Sequence, residues 1–204
     1  MKKYGLGCGA LVVLLGAIIL IGGCGSYNGL VKKSQNVDSK WAQVQNQYQR
    51  RYDLIPNLVS TVSGAANFEK STITEVTEAR ARVGQVSINP NQAPTDAAQL
   101  EKFEQAQGQL GSALSRLLVV AERYPELKAT QNFGGLQAEL AGTENRIAVE
   151  RMRFTEAVQS YNTSVQGLPT RLYAGLMGFH PKPYFKAAAG SEAPPKVEFD
   201  FNKK

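Results

Sequence analysis

Apolar side chains return at steps of three and four residues over most of this chain, a period that an α-helix satisfies and a strand does not. Val37, Trp41, Val44, Tyr48, Ile55, Leu58 and Val62 form one such series, a single stripe along one helix. Leu100, Phe103, Gln107, Leu110, Leu114, Leu117 and Ala121 form a second. Phe133, Leu140, Ile147, Phe154, Tyr161 and Leu168 stand seven apart, with Leu136, Thr143, Glu150 and Ala157 beside them. A seven-residue seam packs helices side by side as coiled coils do. The expected fold class is therefore all-α, an antiparallel bundle of three to four long helices.

Punctuation along the chain divides that bundle. Pro56 lacks a backbone donor and crowds the preceding turn, so it predicts a kink in the first helix, whose apolar phase continues past it. Gly64 to Asn67 reads as a helix end, Phe68 to Val83 as a shorter helix with Ile73, Val76 and Ala79 on one face, and Ser87 to Pro94 as a loop. Thr95 or Asp96 can cap the next helix, Tyr124-Pro125-Glu126 interrupts it, and Leu127 to Val165 reads as the last long one. After a short helix opened by Pro169 come an aromatic, turn-rich stretch from Gly178 to Phe185, a linker rich in Ala, Gly and Pro, and an alternating segment from Lys196 to Phe201.

The N-terminus has a different solvent in view. No charged side chain occurs from Tyr4 to Val31, and the run from Leu6 to Gly23 approaches the roughly 20 apolar residues that span a hydrocarbon core. A single N-terminal transmembrane helix leading into the bundle is one reading. The other is a cleaved lipoprotein signal, with Ile21-Gly22-Gly23 leading to Cys24 as the lipidated residue. Lys2 and Lys3 favour an N-terminus in the cytoplasm and a bundle outside it. Residues 1–26 are thus read as the anchor, 27–186 as the bundle domain and 187–204 as an extended tail.

Reaction centres are scarce. The only cysteines, Cys8 and Cys24, lie in the apolar segment, and the only histidine, His180, has no metal-ligating neighbour at useful spacing. There is no GxSxG elbow and no phosphate-cradling glycine loop. A ferritin-like di-iron site needs paired Glu-x-x-His motifs, which one histidine cannot supply. The carboxylate pairs Glu139 and Glu144, and Glu150 and Glu156, read as helix-surface charge rather than acid–base machinery. The net charge of +6 includes Lys2 and Lys3, and the other cations are interspersed with Asp and Glu, so no nucleic-acid track is expected. The expectation is of no enzyme, no cofactor and no metal.

One polar residue breaks a stripe. Arg51 falls on the Val37, Val44, Leu58 seam, and Glu150 occupies a comparable position on the last helix, so a buried Arg51–Glu150 pair could fix the register of the two. The alternative is an Arg51 that extends its charged head from the seam edge to water.

Tyr27-Asn28-Gly29-Leu30-Val31, Trp41, and the run Gln49-Arg50-Arg51-Tyr52-Asp53-Leu54-Ile55-Pro56-Asn57-Leu58-Val59 together resemble the LemA family of bacterial membrane proteins. The resemblance continues through Glu78-Ala79-Arg80, Glu122 to Leu127, Phe133, Glu144 to Ile147, Tyr161-Asn162 and Gly178-Phe179. It implies an anchored helical bundle with no established activity or cofactor; Trp41, Arg51, Asp53, Pro56 and Asn57 fall within its motifs and, with Glu150 from its seam position, are read as structural motif residues. Cys24 departs from the usual family anchor and keeps both modes of attachment open.

Two functions fit these features. The first is a non-catalytic envelope scaffold, in contact with membrane lipids, that assembles with copies of itself or docks an envelope membrane protein. The second is a sensor or adaptor that captures a protein partner through Phe179, Tyr184 and Phe185 and the tail beyond them.

Overall fold

A computed structural model describes residues 2–65, 68–86 and 88–185, with side chains from Gly25 onward. All regular structure among them is helical: α1 (Lys2–Ser63), α2 (Lys70–Gln85), α3 (Ala97–Ala121), the single turn α4 (Pro125–Lys128), α5 (Gln131–Gln166) and a closing 3-10 turn (Thr170–Leu172). The lipidation candidate Cys24 and the tail 187–204 lie outside the described side chains, as does the apolar run Leu6–Gly23. Among the described residues, no helix is long and apolar enough to cross a membrane.

The predicted stripes become the core. Each apolar member of the α1 and α3 series is buried, as are Phe133, Leu140, Ile147, Phe154 and Tyr161 of α5. Leu168 is the exception, 78% exposed, because α5 stops at Gln166 and the chain turns away. The last long helix also starts later than its apolar pattern suggested. Thr130 accepts from the amide of Phe133 and opens α5, while Pro125 starts the separate turn of α4 and Leu127 tucks into the core.

Polar contacts fix the helix directions. Lys33 of α1 donates to the Ser160 carbonyl near the end of α5, whereas Arg50 meets Glu139 near its start, so α5 runs antiparallel to α1. Arg82 reaches Gln109 and Arg116 reaches Glu75, which sets α2 antiparallel to α3.

Two apolar clusters fill the bundle. One surrounds Trp41, with Leu30, Val37, Val44, Phe103, Phe154 and the C-terminal Ala174. Trp41 lies 5.6 Å from the Phe103 ring and 5.4 Å from that of Phe154. The other joins Ile55, Leu58 and Val62 to Val76, Leu110, Leu117, Phe133 and Leu140. The first cluster ends at Tyr48, Phe103 and Ile147, and the second begins at Ile55, Leu110 and Leu140. Between them, on all three long helices, lies a polar layer.

Candidate functional site

Arg51, Gln107 and Thr143 make that layer, each buried, with Glu144 at its rim. The Arg51 side chain projects between α3 and α5 because its seam position faces the core. It donates through Nη1 to Glu144 Oε2 at 2.7 Å, and through Nη2 to the side-chain oxygen and backbone carbonyl of Gln107. Its guanidinium carbon stands 5.1 Å from the centre of the Tyr48 ring. Glu144 is 62% exposed, so its carboxylate keeps much of its hydration and its Coulomb attraction is screened. The buried Gln107 bonds therefore contribute more to holding Arg51 than the ion pair does.

Burial pushes the Tyr48 phenol above its ordinary range, against the opposing pull of Arg151 and Arg51. Alongside, between α1, α2 and α3, opens a groove of about 350 Å³ lined by Gln45, Tyr48, Tyr52, Gly84, Ile88 and Phe103 among others; its lining holds no carboxylate and no histidine.

A second junction starts from a missing proton. Pro56 has no amide hydrogen, so the Tyr52 carbonyl four residues earlier has no helical donor. Arg80 of α2 supplies one, its Nε donating to Tyr52 O at 3.4 Å while its guanidinium lies 3.9 Å from the centre of the Tyr52 ring. The proline is accommodated within an unbroken α1, and the vacancy it leaves becomes a docking point for α2.

The third junction ties the C-terminal stretch to the bundle. Asn162 receives the Lys182 amide on Oδ1 at 2.9 Å and donates through Nδ2 to the Lys182 carbonyl at 2.8 Å, so one side-chain amide pairs with a backbone as a strand would. Lys182 Nζ reaches Asp38 Oδ1 at 2.8 Å, and the same oxygen accepts the amide of Ala93. Trp41 Nε1 donates to the Asn89 carbonyl. Burial first, and the charge of Asp38 second, raise the Tyr161 phenol above its ordinary value.

The family pattern of LemA matches residues 40–199. The chain belongs to the LemA family. Among its relatives are magnetosome protein MamQ 2 of Paramagnetospirillum magneticum (strain ATCC 700264 / AMB-1), 25% identical over 82% of this chain and 67% of that protein, and magnetosome protein MamQ of Magnetospirillum gryphiswaldense, 23% identical over the same shares. Protein LemA of Metamycoplasma hominis is 20% identical over 80% of this chain and 70% of its own length.

The motif residues of this LemA-family chain fall into separate roles. Trp41 centres the first core cluster and Arg51 the polar layer. Asp53 is exposed and accepts from Gln49 one turn earlier; Asn57 is exposed, and its carbonyl accepts from Thr61. The expected Arg51–Glu150 pair does not form. Arg51 is level with Glu144, almost two turns before Glu150, which pairs instead with Arg153 at 2.6 Å. The three aromatics proposed as a partner surface also divide. Phe185 packs 5.3 Å from the Phe154 ring beneath the Arg151 guanidinium, and Phe179 lies 5.5 Å from the Tyr27 ring, leaving Tyr184 as the exposed one.

Gln107, Asp38 and Lys182 went unmarked as polar partners in the sequence. Gln107 carried a signal, an amide on an otherwise apolar stripe. Asp38 and Lys182 carried none, being ordinary charges far apart in the chain. Among the described residues, no group of three His, Cys, Asp or Glu side chains could hold a metal ion.

Proposed function

We propose that this LemA-family chain is a non-catalytic membrane-anchored scaffold of the bacterial cell envelope, assembling with copies of itself, with its N-terminus in the cytoplasm and its bundle outside. The observation that carries the reading is the continuity of α1 from Lys2 to Ser63. One helix contains both the apolar run suited to a bilayer and the stripe on which the bundle is built, so the anchor and domain share an axis with no loop between them. Copies held in one membrane at a common tilt meet at high effective concentration, which favours closed or lattice-like assembly. The three polar junctions support the same reading, since every one joins helix to helix or helix to the C-terminal stretch. Relatives named for the magnetosome rather than for a reaction agree with it.

The test is to produce the full chain in a bacterial membrane, extract it in mild detergent, and read intact mass and particle size together. An uncleaved chain in regular multimeric particles is the expected result. Monomers in detergent and in native membranes would refute self-assembly, and a lipid-modified Cys24 at a new N-terminus would replace the helix anchor with a lipid one.

A further inference from the structure

We infer that the turn segment 167–178 is a second membrane contact, resting in the headgroup layer of the bilayer that α1 enters, with a phospholipid surface as its occupant. The inference rests on the reading of Leu6–Gly23 as a spanning anchor.

The starting observation is an apolar surface in the wrong place for a soluble bundle. Leu168, Leu172 and Leu176 are 78, 75 and 91% exposed. They stand in a tightly wound stretch whose amides bond back three or four residues, Arg171 to Gly167, Leu172 to Pro169, Ala174 to Thr170 and Met177 to Tyr173 among them. Between them in the chain stands the buried Ala174, whose carbonyl accepts the Phe179 amide and whose packing holds the segment against the bundle. The leucines are thus left outward while the residue between them is packed, and exposed apolar side chains grouped in one short segment mark a site that is covered in use.

Its height on the bundle says by what. Because α5 descends antiparallel to α1, Ser164 is level with Lys33, and the residues after Gln166 continue toward the α1 N-terminus. The contact of Phe179 with Tyr27 sets the residue that follows the segment at the level of Tyr27. Tyr27 is four residues past Gly23, the end of the apolar run. At about 1.5 Å per residue that is about 6 Å along α1. The interfacial layer on each side of a hydrocarbon core is about 5–8 Å deep, so a segment at this level is in it rather than above it. Tyr27, itself 44% exposed, is a side chain typical of that layer.

Charge agrees. The first carboxylate in the chain is Asp38, and none occurs between Glu156 and Glu192, so neither α1 below Asp38 nor the turn segment carries an anion. Among the described residues, the exposed ions at that end are cations, Lys32 and Arg171. Described residues that combine outward leucines, an interfacial tyrosine and exposed cations complement an anionic lipid surface.

The test places a genetically encoded benzophenone amino acid at Leu172 or Leu176 of the full chain, in vesicles of phosphatidylcholine and phosphatidylglycerol, and reads photo-adducts by mass. Leu14 serves as the anchor reporter, and Val119, 66% exposed on α3 beside the distal core cluster, as the aqueous one. Lipid adducts at 172 and 176 exceeding those at 119 by about tenfold or more are expected if the segment is interfacial. Adducts at 14 with 172 and 176 no higher than 119 would overturn the inference and leave the anchor standing. No adducts at 14 would overturn both. Covalent dimers at 172 in place of lipid adducts would assign the surface to a second copy and overturn the lipid occupant.

Discussion

Arg80 on α2 donates its Nε proton to the carbonyl of Tyr52 on α1, the acceptor that Pro56 leaves without a helical partner. A residue usually read as a helix breaker here creates the hydrogen-bonding vacancy by which a neighbouring helix is seated. The Arg80–Tyr52 stack adds a cation–π contact to the same pair.

Arg80→Ala removes both contacts, and about 1–2 kcal/mol of α2 docking should go with them. Amide exchange should rise across α2 (Lys70–Gln85) while α5 keeps its protection. Equal exchange in α2 of the two proteins would show that the pair does not hold the helix.

In the polar layer, Glu144→Ala should cost under about 1 kcal/mol in urea unfolding, because the carboxylate is exposed and screened. Arg51→Ala should cost about 3 kcal/mol, since it opens a cavity and strands the buried Gln107 oxygen. The double variant Arg51→Leu with Gln107→Leu should lose less than the sum of the two single changes. A larger loss for Glu144→Ala than for Arg51→Ala would reverse the assigned order.

Asn162→Ala deprives the Lys182 amide and carbonyl of their buried partners at once. A loss of about 2–3 kcal/mol is expected. Faster exchange should concentrate at residues 179–185, and limited proteolysis should cut there first. Asn162→Asp keeps the acceptor for the Lys182 amide but sets a buried carboxylate oxygen against the Lys182 carbonyl, so it should lose at least as much as Asn162→Ala.

Tyr48 and Tyr161 have phenols raised above 10.0 by burial, so each remains protonated in the folded chain where the unfolded chain has begun to ionise. Their contribution to stability is complete below 10.0, the unfolded value, and is lost as pH rises through the raised folded values. Unfolding free energy should therefore decline above about pH 10. Tyr48→Phe should flatten that decline, and an alkaline limb unchanged by the substitution would exclude Tyr48 as its source.

Much of the fold was legible because helix burial is periodic. The stripe from Val37 to Val62 and that from Leu100 to Ala121 could be read from spacing, since neighbours three and four apart must share a face. Arg51 was legible as a charge on the seam for the same reason, though not whether its head was buried. Its partner was not: local spacing gives each helix its face but not the sliding register between helices, and a shift of less than two turns separates Glu144 from Glu150. The C-terminal strap was less legible still. It has no period, and its fastenings, Asn162 to Lys182 and Lys182 to Asp38, join positions whose proximity exists only after α1 and α5 are aligned.

The unbroken course of α1 also keys the bundle in azimuth. One residue inserted between Gly25 and Tyr27 would turn everything beyond it by about 100° and raise it by about 1.5 Å, so the direction in which the bundle faces relative to the apolar run is set by the count of residues between that run and Trp41, and a change of one there points the whole domain in another compass direction.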